Sequence, residues 1–171
     1  MGVILIEGPD RCGKTTMAQA LAEETGREFR FLPSPTVRPL IFSGEMNNPF
    51  LFFADAQKFW EESKDKNIVL DRDILSMLAY QGYLLNNMEP ADIIHLYTTY
   101  VYKDNMPERI IYVINKPFAP YDENDPFEKH GYEAIRQAFE KAAHYLTQGF
   151  PELTIERVTL TKGKAIPDGL Y

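Results

Sequence analysis

Val3-Ile4-Leu5-Ile6-Glu7-Gly8-Pro9-Asp10-Arg11-Cys12-Gly13-Lys14-Thr15-Thr16 is the stretch on which the reading of this chain turns. Gly8 to Thr15 has the order G-x-x-x-x-G-K-T, which average residue usage produces by chance at roughly one position in 30,000. An apolar strand precedes it and a helical pattern follows. A strand feeding a glycine-rich turn into a helix aims several backbone N–H groups at one point, and the helix dipole adds partial positive charge there. The phosphates of a nucleoside triphosphate are the expected occupant. Lys14 should reach the β- and γ-phosphates, and the Thr15 hydroxyl should ligate Mg²⁺. Gly8, Arg11, Cys12, Gly13 and Thr16 complete the expected ATP-binding loop.

Mg²⁺ keeps most of its waters and takes one or two protein oxygens besides phosphate. A carboxylate at the end of a neighbouring strand is therefore expected. Asp71 closes the all-apolar run Ile68-Val69-Leu70, and it either ligates the metal with Thr15 or caps the following helix. Arg72 adds a phosphate-matching guanidinium at the same place.

Composition sets bounds. The 171 residues fit a single domain spanning 1–171, and the net charge is −7. An acidic chain has no general pull toward nucleic acid or anionic membranes, so no nucleic-acid or membrane partner is expected. A polyanionic substrate must be held by a few placed cations. The single cysteine, Cys12, rules out an intrachain disulfide and suits a reducing, cytoplasmic setting; it reads as a packing residue. No apolar run approaches the ~20 residues of a membrane span, and the start lacks the charged segment of a signal peptide. His95, His130 and His144 share no metal-ligand spacing.

Strand and helix patterns alternate, which predicts an α/β fold: a five-stranded parallel sheet with helices on both faces. Strands are expected over 3–7, 28–32, 68–70, 108–115 and 153–160. Helices are expected over 14–25, 49–64, 73–87, 90–103 and 132–147. Residues 116–131 are polar and contain three prolines, and a loop of that length in a compact domain is usually functional. It is read as a short lid. The stripes Phe52 to Trp60 and Tyr97 to Val101 are more aromatic than a small core needs, which suggests a dimer face.

Four segments carry a family resemblance. The loop with its internal Asp10-Arg11 resembles that of thymidylate kinases, P-loop nucleoside monophosphate kinases. Asp71-Arg72-Asp73-Ile74-Leu75-Ser76-Met77-Leu78-Ala79-Tyr80-Gln81 looks like the family's D-R-x-x-x-S-x-x-A-Y-Q segment. Leu51-Phe52-Phe53-Ala54-Asp55-Ala56-Gln57 is similar to its L-L-F-x-A-x-R helix, and Asp125-Pro126-Phe127-Glu128 to its D-R-F-E lid end. The resemblance implies a P-loop kinase fold, usually homodimeric, and transfer of the ATP γ-phosphoryl group to dTMP or a related pyrimidine nucleotide. It implies that Lys14, Arg11, Arg72 and Asp71 form the catalytic set. It further implies Asp10 at the deoxyribose 3′-OH, Arg11 on the phosphates being joined, Arg72 on the acceptor phosphate, Phe53 stacked on the pyrimidine, Tyr80 excluding a ribose hydroxyl, and Ser76, Gln57 and Arg38 among the substrate-binding residues.

Departures are visible too. Gln57 stands where the family has an arginine on the pyrimidine O4, and Met77 where it has asparagine or glycine. The arginine usual after the second strand is absent, and Arg38 is its nearest substitute. Between Arg109 and Arg136 the chain has no arginine, while Asp122, Glu123, Asp125 and Glu128 make the lid acidic. The lid is expected to exclude water, with Lys129 at most a helper. Lys162-Gly163-Lys164 is an expected rim for the adenine pocket. Two rival functions stand beside the first: a deoxynucleoside kinase, and a nucleotide-binding partner protein without catalysis.

Overall fold

The computed structural model describes residues 2–35, 37, 49–161 and 163–170. Five strands are found there: β1 (Val3–Glu7), β2 (Glu28–Phe31), β3 (Ile68–Asp71), β4 (Arg109–Val113) and β5 (Ile155–Val158). All pair in parallel, in the order β2-β3-β1-β4-β5. The helices are α1 (Lys14–Thr25), α2 (Pro49–Glu62), α3 (Ile74–Met77, widening into a π-helix over Leu78–Leu84), α4 (Pro90–Leu96, with a π-helical end over Tyr97–Val101) and α5 (Tyr132–Gly149). The anticipated α/β sheet is present, and element ends differ from expectation by a few residues, as fraying ends do.

Side chains of β1 alternate between two cores. Ile4 and Ile6 face α1 through Met17, Ala18 and Leu21, while Val3 and Leu5 face the helices of the other side. Burial on both faces explains why β1 and β3 read as unbroken apolar runs. Gly26 ends α1 in the left-handed conformation, its N–H bonded to the Ala22 and Glu23 carbonyls.

A carboxylate organises the larger core. Asp73, fully buried, accepts hydrogen bonds from Trp60 Nε1 at 2.9 Å, the Tyr97 hydroxyl at 2.8 Å and the Tyr102 hydroxyl at 2.5 Å. It ties α2 and the end of α4 to the turn after β3. Burial pushes its pKa up to about 6, while the three donors hold it down. This network corrects the sequence argument for a dimer face. Phe52, Phe53, Phe59, Trp60, Tyr97 and Val101 are all buried within the chain's own core, and Trp60 and Tyr97 spend their polar tips on Asp73. Phe50 and Tyr100 stay exposed.

The strand order matters most for function. The chain leaves β1 toward β2 on one side and later returns to β4 on the other. Ligands of open α/β sheets bind beyond the carboxyl ends of the strands at such a switch point.

Candidate active site

The loop between β1 and α1 is built by backbone constraint. Gly8 has φ +152°, and a Cβ there would lie 2.7 Å from the Val113 carbonyl oxygen. Gly13 caps α1 with φ +88°, a region glycine enters without penalty. Arg11 sits at φ +62° without that freedom, and its carbonyl accepts the Phe118 N–H at 2.8 Å. Cys12 is buried, and burial raises its thiol pKa, as its packing role requires.

Pairing of Ile6 with Asp71 in the β1–β3 register brings the Asp71 carboxylate to the loop. The Thr15 hydroxyl donates to Asp71 Oδ2 at 2.5 Å, and Lys14 Nζ lies 4.0 Å from Oδ1. Oδ1 is buried and has no hydrogen-bond partner. An orphaned anionic oxygen beside a loop hydroxyl is a fitting place for a hard divalent cation.

Arg72, one residue beyond, has φ +78° and is held from three sides. Its Nη2 donates to Asp10 Oδ1 at 2.6 Å and its Nη1 to Ser76 Oγ at 3.3 Å, while its guanidinium carbon lies 5.2 Å from the Tyr80 ring centroid. Ser76 in turn donates its hydroxyl to Glu7 Oε1 at 2.5 Å and its N–H to Oε2 at 3.0 Å. Glu7 is fully buried, and burial lifts its pKa to about 7. Burial also pushes on Asp10, but Arg72 and Lys14 outweigh it and hold that carboxyl below its ordinary value. The Tyr80 hydroxyl is buried without a hydrogen-bond partner.

The lid lies on the loop. Tyr121 donates its hydroxyl to the Asp10 carbonyl at 3.2 Å, and Phe127 sits 4.7 Å from Tyr80, ring centre to ring centre. Arg11 Nε donates to Glu128 Oε1 at 2.5 Å. Phe127 and Glu128 line, with Asp10, Arg11, Lys14, Arg72, Ser76 and Tyr80, an open cavity of about 660 Å³. A second opening of about 360 Å³ lies against Gly13, Thr15, Thr16, Phe118 and Ala119. Arg11, Lys14 and Thr15 line both.

Asp10, Arg11, Lys14, Thr15, Asp71, Arg72, Ser76 and Tyr80 are thus brought to one place. Phe53 and Gln57 are not among the lining residues. Phe53 meets Tyr97 edge-on at 5.9 Å within the aromatic core, and Phe52 faces the cavity in its stead. Met77 and Gln81 also line it. Arg38 and Lys162 lie outside the described residues, and Lys164 is paired with Asp168. Sequence reasoning missed Glu7 and Phe118 and gave Glu128 no task of its own. A charged residue closing an apolar strand was the available signal for Glu7. Glu128 was marked as the end of the Asp125-Pro126-Phe127-Glu128 segment, and nothing local marked Phe118.

A family model, "ATPase family associated with various cellular activities (AAA)", matches residues 4–111. The thymidylate kinase of Coprothermobacter proteolyticus is 29% identical over 91% of this chain and 95% of its own length. A probable thymidylate kinase of Methanococcus maripaludis is 31% identical, but the match covers 57% of this chain and about half (53%) of that one. Among solved structures, thymidylate kinase from Ehrlichia chaffeensis superposes with a TM-score of 0.68 at 21% identity, covering 92% of this chain and 90% of that one. Thymidylate kinase from Candida albicans gives 0.62 at 21% identity, over 92% and 84%. The chain therefore belongs to the P-loop ATPases of the AAA family model, and its fold is that of the thymidylate kinases.

Proposed function

We propose that this protein is an ATP-dependent nucleoside monophosphate kinase that phosphorylates dTMP, or a closely related pyrimidine deoxynucleotide, to the diphosphate. One observation carries the reading. Arg11 and Arg72 come from separate strand ends and line one cavity together with the loop lysine. Such a cluster of cations in an acidic protein suits an acceptor that already bears phosphate. The acceptor phosphate oxygen attacks the γ-phosphorus, a new P–O bond forms, the bond to the β,γ-bridging oxygen breaks, and ADP leaves. That reaction needs in-line placement and charge compensation more than covalent chemistry.

The residues divide the work by position. Arg72, already fixed by Asp10 and Ser76, holds the acceptor phosphate. Arg11 and Lys14, shared by both openings, span the group in flight. The second opening takes the donor, with Phe118, 63% exposed, as a shelf for its base. Asp10 meets the sugar hydroxyl, and Tyr80 closes the floor of the sugar site. Thr15 and Asp71 would hold Mg²⁺, which would supply neutralisation of phosphate charge there. Phe52 takes the base-facing place that the motif gave to Phe53. Lid residues 121–128 cover the cavity and exclude water.

A deoxynucleoside kinase would need a free carboxylate base near the 5′-OH. Asp10 is bonded to Arg72, Glu128 to Arg11, and Asp125 Oδ1 to the Phe127 and Glu128 N–H groups. None is idle. A coupled ADP-release assay offering thymidine, dTMP, dUMP, dCMP, dGMP and 5-substituted pyrimidine nucleotides tests the reading. Turnover on a pyrimidine monophosphate is expected. Turnover on thymidine alone would transfer the assignment to the nucleoside kinases. Tight ATP binding with no turnover would make this a non-catalytic nucleotide-binding protein. Within this proposal the protein works as a cytoplasmic homodimer, and sedimentation velocity reports its assembly.

A further inference from the structure

We infer that Glu128 is a positioning residue: the lid supplies an anion that aims the P-loop cation Arg11. A carboxylate facing a polyanion is repelled by it, so its presence in the cavity wall needs a reason. Its geometry gives one. Glu128 is buried, its N–H is bonded to Asp125 Oδ1 at 2.9 Å, and its Oε1 also accepts the Asp122 N–H at 3.2 Å. The carboxylate is therefore fixed before it meets Arg11. It takes that guanidinium at Nε, the nitrogen nearest the backbone. A guanidinium is planar, so fixing the Nε direction fixes the fork of terminal nitrogens. That fork belongs to a side chain lining both the 660 Å³ cavity and the 360 Å³ opening. Backbone on either side holds the base of the arm, since the Arg11 carbonyl is tied to Phe118 and the Asp10 carbonyl to Tyr121. Lid closure and the aim of Arg11 become one event. The inference rests on the reading of the two openings as donor and acceptor sites.

A double-mutant cycle tests it. In the otherwise native protein, Glu128→Ala should lower kcat by about 30-fold, with Glu128→Gln intermediate and both KM values within about 3-fold, the pattern of lost orientation. In an Arg11→Ala background, Glu128→Ala should change kcat by less than about 2-fold. An equal loss in both backgrounds would show that Glu128 acts independently of Arg11 and overturn the inference. A second readout needs no turnover. By ¹⁵N NMR of the nucleotide-free protein, Arg11 Nε–H exchange should be at least about 10-fold faster in Glu128→Gln. Equal exchange rates would also overturn it. Slow exchange in a wild type that phosphorylates no nucleotide would sink the kinase reading while leaving the pairing intact.

Discussion

Two arginines reach the same cavity by different means. Arg72 is rooted at the end of β3, its side chain only 16% exposed, and bonded to Asp10 and Ser76 over the face of Tyr80. Arg11 rises from the loop with 40% of its side chain exposed and, apart from the backbone, depends on Glu128. The first belongs to the folding core and the second to the lid. Under the proposed function, phosphate binding is half built-in and half dependent on the contact with Glu128. A buried cation whose partners are satisfied costs no reorganisation at the moment of reaction. An exposed one has to be aimed.

The sharpest way to break this comparison is to remove each cation. Arg11→Ala should reduce phosphoryl transfer by roughly 10³-fold and cost only a little stability, because the buried Glu128 loses its cation but keeps the Asp122 N–H, and the Arg11 side chain is itself 40% exposed. Arg72→Ala should lose activity on the same scale and also lower the unfolding free energy by about 3 kcal/mol, because Asp10 is left without its ion-pair partner. ADP release and urea denaturation read both effects. Equal loss of stability in the two variants would erase the distinction.

Next in size is the buried hub, which separates core stability from catalysis. Asp73→Ala orphans Trp60 Nε1 and two tyrosine hydroxyls and should cost on the order of 3 kcal/mol or more. Turnover per folded molecule should hardly move. A kcat loss in fully folded protein would mean that the hub also shapes the site.

The third prediction concerns pH. Glu7 titrates near 7 in the folded chain, against 4.5 ordinarily. Between those values the unfolded chain has released a proton that the folded chain keeps, so stability falls as pH rises through that window and levels off above it. Asp73, near 6 against 3.8, has the same sign over a lower window. Asp10, held below its ordinary value, acts oppositely, but only below about pH 4. The unfolding free energy should thus be higher at pH 5 than at pH 7.5, by about 2 kcal/mol from Glu7. Glu7→Gln should flatten most of that slope, and an unchanged slope would remove Glu7 as its source. The smallest effect is on the donor side, where Phe118→Ala should weaken ATP binding by about tenfold and leave inorganic tripolyphosphate unaffected. Titration calorimetry distinguishes the two ligands.

Much of this site was legible from short stretches. Gly8 to Thr15 adopt their loop through φ restrictions and a helix start contained within the segment itself. Asp71 followed from closing an apolar strand, and strand pairing then set it beside Thr15. The failures were at longer range. Phe52 and Phe53 are adjacent and alike, and only the fold shows that Phe53 meets the Tyr97 ring while Phe52 lines the cavity. Asp73 had no legible role within the 71–81 segment, because its three donors come from positions 60, 97 and 102. Glu128 is 117 residues from Arg11.

The sequence by itself determined the α/β alternation, the phosphate loop and the identity of its cations, since these depend on backbone dihedrals and on periodicity over a few residues. Tertiary structure decided the strand order, the choice of ring facing the cavity, the raised carboxyls Glu7 and Asp73, and the anion that meets Arg11. Burial and charge pairing depend on distances through space, and the folded chain sets those by bringing together residues far apart along it.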